Sequence, residues 1–114
     1  MNGSRGDAER ERLYAALLAE EVVFRVAEAK TIIPATKGLL SVTAARVIYT
    51  SKRRSWTADL RQVATVSLTR EGSRGTIRIT SASHVEVFSA RWDTASELVH
   101  VLRSQQAAVA EASS

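Results

Sequence analysis

Residues 38–54 read Gly-Leu-Leu-Ser-Val-Thr-Ala-Ala-Arg-Val-Ile-Tyr-Thr-Ser-Lys-Arg-Arg. Two short runs rich in branched and aromatic residues, 39–43 and 47–50, flank a tight corner at Ala44, Ala45 and Arg46. Runs of that composition bounded by Gly, Ser or charge are strand signals, and their spacing makes a β-hairpin. A hairpin has to bury one face, so the rest of the chain is expected to supply more strands and a covering helix.

The remainder of the sequence meets that demand. Phe24 stands among branched residues in 22–26 and marks a first strand. Residues 27–37 hold the only proline, Pro34, which cannot donate to a ladder and pushes its predecessor to extended geometry, so this segment is predicted to be a loop or sheet edge. After the hairpin, Trp56 marks a short strand and is expected to plug an open end of the sheet. Residues 59–62 form a turn, and Ala64, Val66 and Leu68 alternate in a half-buried strand. The glycine-bearing turn at 71–75 leads to Ile77 and Ile79. Residues 81–83 turn again, before Val85, Val87 and Phe88.

The period then changes. Ala95, Leu98, Val99 and Leu102 recur at helical spacing, and Thr94 with Glu97 has the capping-box spacing, so a helix is predicted over 94–106 with its N-cap at Thr94. Leu13, Ala16, Leu17 and Leu18 predict a second, narrowly amphipathic helix over 7–19 with Asp7 as N-cap and Glu9, Arg10, Glu11 and Arg12 toward solvent. A helix of that length is marginal alone and must dock on the domain or on a partner. Residues 1–6 are expected to be a flexible tail, 20–105 the domain proper, and 107–114 a frayed end. The expected fold is mostly β, about seven antiparallel strands in a barrel or sandwich capped by the C-terminal helix, with a helix before it.

Composition narrows the chemistry. The chain has 114 residues, enough for one core. It has no cysteine, which removes disulfides, thiolate catalysis and cysteine metal sites, and fits a cytoplasmic location. No apolar run reaches membrane-spanning length, and the polar N-terminus lacks a signal-peptide core. His84 and His100 stand at no metal-ligand spacing, no glycine-rich phosphate loop is present, and no nucleophile set can be assembled. The chain is therefore read as non-catalytic, with no cofactor and no metal.

Net charge is +4, yet residues 46–78 alone carry +6. Lys30, Lys37, Lys52, Arg53 and Arg54 are the candidate anion- or lipid-binding residues, and Ile32 and Ile33 beside Pro34 a candidate apolar loop tip. The bland alternatives are that the cations guard sheet edges and that the isoleucines fold back on the core. Nucleic acid is the weaker partner class, because aromatics suited to base stacking are few.

The segment from Lys37 to Thr50 resembles the hairpin "G-x-L-x-V-T-D-x-R-L-I-Y" of bacterial pleckstrin-homology-like (PH-like) domains, the YokE-like and GRAM-related group. Trp56, the stretch 60–66, Phe88 and the terminal helix fall where that pattern puts them. Ala44 replaces the family's Asp in the turn. The resemblance covers about residues 20–105 and implies a bacterial or phage protein built as two near-orthogonal sheets with a helix at one open end. A superfold does not specify function. It allows a protein-interaction adaptor, binding another protein or itself through a sheet edge or helix, or docking on an anionic membrane at the inner face. The second strand offers Leu39, Ser41 and Thr43 where phosphoinositide binders carry basic residues, so only Lys52, Arg53 and Arg54 carry over.

Overall fold

A computed structural model describes residues 4–17, 21–32, 35–82 and 84–113. Seven strands, β1 (Val23–Thr31), β2 (Thr36–Thr43), β3 (Arg46–Ser51), β4 (Ser55–Asp59), β5 (Val63–Glu71), β6 (Arg74–Ser81) and β7 (His84–Arg91), lie between helix α1 (Ser4–Ala16) and helix α2 (Trp92–Ser113). The strands form one antiparallel sheet in the order β4-β3-β2-β1-β7-β6-β5. The mostly β fold with a helix at each end is as expected. The sheet is not closed into a barrel, however: β4 and β5 are its two ends, and no pairing among the described residues joins them.

Closure is replaced by α2. Its stripe of Ala95, Leu98, Val99 and Leu102 is buried together with Leu40, Val42, Val47, Tyr49, Ile77, Ile79 and Phe88 in one core. Tyr49 and Phe88 meet at 5.0 Å between ring centroids, and Trp56 and Phe88 at 5.9 Å. Trp56, on the end strand β4, is thus half-buried against the core. Each large apolar side chain buried here stabilises by about 1.5–3 kcal/mol.

Strand β2 is buried along nearly all its length, because a helix covers each of its faces. Leu40 and Val42 point to α2, while Leu39, with Ile48 of β3, packs under Leu13 of α1. At the β2–β3 corner the Thr43 hydroxyl accepts from the amides of Ala45 and Arg46 at 3.1 and 3.0 Å. Gly38 sits where a Cβ would come 2.3 Å from the Thr50 carbonyl oxygen, so the glycine of the hairpin is required for close approach of β2 to β3.

Several boundaries differ from the sequence reading. Strand β1 runs on to Thr31, so the loop shrinks to a short connection and Lys30 and Lys37 are cross-strand neighbours. Its inward residues there, Ala27, Ala29 and Thr31, are too small or polar to register as an apolar alternation. Helix α2 begins at Trp92, not Thr94, since β7 feeds it directly and the Trp92 amide donates to the Ser73 carbonyl at 2.8 Å. It continues to Ser113, so the expected frayed end is helical.

Helix α1 begins at Ser4, which places Asp7 inside it and makes residues 4–6 helical; residues 18–19 lie outside the described residues. In β7 the buried phase is Glu86, Phe88 and Ala90, and Val85 is exposed. In β5 a register shift beside Val63 turns Ala64 outward and leaves Val63 buried. The expected turn at 59–62 is a single 3-10 turn, Leu60–Gln62, capped by Asp59, whose side chain accepts from the Arg61 amide at 2.9 Å. Hydrogen bonds from Arg61 hold the Asp59 carboxyl below its usual pKa.

Candidate binding clefts

Two adjoining clefts open on the outer face of the sheet beside α1, of about 790 and about 670 Å³. Their positions follow from how α1 is held. Arg46 makes a bidentate contact with Glu21, Nη2 to Oε1 at 2.6 Å and Nε to Oε2 at 3.0 Å, and Nη2 also donates to the Ala16 carbonyl at 2.9 Å. The Thr43 hydroxyl donates to the same carboxylate at 2.9 Å. These bonds tie the C-terminal end of α1 to the β2–β3 corner, and the hydrogen bonds that Arg46 donates to Glu21 raise the Arg46 pKa above its already high value. The helix packs across β3 and β2, and the clefts form beside it.

The smaller cleft is lined by Arg12 and Glu9 of α1, by Lys37 at the start of β2, and by Lys52 and Arg53 in the β3–β4 turn. Three of the five candidate cations thus converge. Sequence reading missed Arg12, because it assigned residues 9–12 to solvent and the packing of α1 across β2 is a long-range event. Ile32, which follows the end of β1, is 48% exposed, so it does not fold back on the core. Ile33 lies outside the described residues.

The larger cleft shares Glu9 and Lys37 with the first and adds Arg10, Glu28, Lys30, Arg74, Arg91 and Thr94. Lys30 therefore sits on the far side of Lys37 from Lys52 and Arg53. Arg74 and Arg91 come from β6 and β7, a pairing invisible to any local reading of the sequence.

Arg54 leaves the group. Its Nη2 donates to Glu86 Oε2 at 2.8 Å, and His84 contacts the same carboxylate through Nε2. The Glu86 side chain is 5% exposed, and a buried carboxylate is tolerated only when paired. The pair links the β3–β4 turn to the start of β7. Among the described residues no group of three or more His, Asp or Glu could hold a metal ion, and no helix is long and apolar enough to cross a membrane.

No family model matches the sequence, and no curated protein matches it. Among solved structures, the crystal structure of the C-terminal domain of an unknown protein from Leishmania infantum is similar, with a TM-score of 0.71 at 11% identity, covering 89% of this chain and 96% of that one. At that identity the likeness is one of fold.

Proposed function

We propose that the chain is a non-catalytic interaction module of the PH-like type, related to the YokE-like and GRAM-related group, whose task is to bind another protein. The strand order with a C-terminal helix, and the residues of the β2–β3 hairpin, support the family reading. The observation that carries the protein-binding reading is the pair of recessed clefts that share Lys37 and mix exposed cations with Glu9 and Glu28. A concave surface with both signs of charge suits a polypeptide segment better than a flat sheet of one charge. Size-exclusion with light scattering, followed by cross-linked capture from the source cells, tests it. The expected result is a stoichiometric complex that the double variant Lys37→Glu with Arg53→Glu weakens at least tenfold. A monodisperse monomer that captures nothing would sink the reading.

A second reading is favoured by the convergence of Lys37, Lys52, Arg53 and Arg12, together with the exposed Ile32. That arrangement suits reversible docking of a cytoplasmic protein on an anionic membrane, Ile32 entering the interface. At about 1 kcal/mol per cation near such a surface, the contact is salt-sensitive. Co-sedimentation with phosphatidylserine vesicles at low salt tests it, and absence of binding removes it.

A further inference from the structure

We propose that the larger cleft takes a short, extended, acidic polypeptide segment that pairs with the open edge of β1. This rests on the protein-binding reading above and names the class of partner. Strand β1 pairs with β2 along its length but with β7 only at Lys30↔Ser89 and Thr31↔Phe88. Below that fork the two strands part, and residues 26–29 of β1, still paired with β2 on one edge, line the cleft with no strand paired to their other edge among the described residues. An open stretch of strand edge is a template for a further strand.

Charge on the two walls selects the occupant. On one wall Lys30 stands directly opposite Lys37, and on the other Arg74 stands directly opposite Arg91. Like charges placed opposite each other across a ladder are destabilising, so each wall carries a repulsion that an anion between them relieves. Arg74 is anchored, its Nε donating to Ser89 Oγ at 2.8 Å at the fork itself. Arg91 has only a loose, exposed contact with Asp93 at 3.6 Å. The carboxylates of Glu9 and Glu28 also line the cleft, so the cations outweigh the acids without excluding them.

The other edges are poorer templates. Strand β4 has only five residues. On β5 the carbonyls of Val63 and Val66 already accept from Gln106 and Arg103 of α2 at 3.0 and 2.9 Å. Four residues of open edge at about 3.4 Å each define a segment of four to five residues. Because strand side chains alternate, its acidic residues would face the cation pairs.

The test uses the whole chain and the peptide acetyl-Glu-Val-Glu-Ala-Glu-amide, followed by amide-resolved NMR titration. The expected result is perturbation of the 26–29 amides, with binding at least tenfold weaker for the backbone N-methylated peptide and for the variant Arg74→Glu with Arg91→Glu. No perturbation at 26–29 at millimolar peptide would overturn the proposal. So would equal binding of the N-methylated peptide, or the same perturbation from inorganic phosphate, since either makes the site one for anions and not for a strand. In these cases the general interaction reading stands or falls separately, on the capture experiment.

Discussion

Helices α1 and α2 cover opposite faces of β2, and they do so by different means. Under α2 the centre of the interface is apolar: Leu98 and Leu102 are 0% exposed and are buried with Leu40, Val42 and Tyr49, which are equally sealed. Under α1 the apolar contact is a small cluster of Leu13, Leu39 and Ile48 with Ala16, Leu17 and Val26 at its rim. The same buried face holds the hydroxyls of Ser41 and Thr50, neither of which has a hydrogen-bond partner among the described residues. Orphaned hydroxyls under a helix cost free energy that the α2 face does not lose. One helix is therefore part of the core, and the other is a cover held by a few leucines and the Glu21–Arg46 clasp.

The contrast breaks first at Leu98. Leu98→Ala removes a fully sealed side chain from the centre of the α2 interface, and is expected to cost about 3–5 kcal/mol. Urea unfolding would show a lower midpoint with every probe moving together, because the core is shared by both halves of the sheet. A loss below about 1 kcal/mol would mean that α2 is no more integral than α1.

The clasp comes next. Arg46→Gln takes the guanidinium away from Glu21, whose side chain is 7% exposed, and is expected to cost about 2–3 kcal/mol. The loss should be local, read as faster proteolysis within residues 4–17 while the sheet keeps its hydrogen-exchange protection. Leu13→Ala is expected to act in the same place at about 2 kcal/mol, less than Leu98→Ala, because a loosely held helix can shift to close the gap. Equal effects of the two leucine substitutions on global unfolding would erase the distinction between core and cover.

Much of this architecture was readable in advance. Strand β6 shows Ile77 and Ile79 in strict alternation, and α2 shows a stripe with helical period, because in both a single buried face is filled by large apolar residues. The reading failed where burial is carried by other groups. Ala27 and Ala29 line the core of β1 without an apolar signal, and Glu86 occupies an inward position of β7 that Arg54, distant in sequence, and His84, at the start of the same strand, make tolerable. For the clefts, the cations themselves were visible as a basic stretch. Their grouping was not, since it depends on α1 crossing β2 and on β1 and β7 parting at Ser89, and both are set by long-range packing.

The smallest effect is the sharpest probe of the cover, because its sign is reversed. Thr50→Val keeps the shape of the side chain and removes a buried hydroxyl that has no partner, so it is expected to raise stability by up to about 1 kcal/mol. That gain exists only while α1 seals the face. In the Leu13→Ala background, where α1 opens more readily, water reaches the Thr50 hydroxyl and the advantage of valine should shrink toward zero. A double-mutant cycle on these two positions measures the coupling directly. Additive effects would mean that Thr50 is dry for reasons unrelated to α1, and the helix would then count as ordinary core. A coupling near the full size of the Thr50→Val gain would identify α1 as the element whose closure dries this face, and hence as the element whose position sets the walls of both clefts.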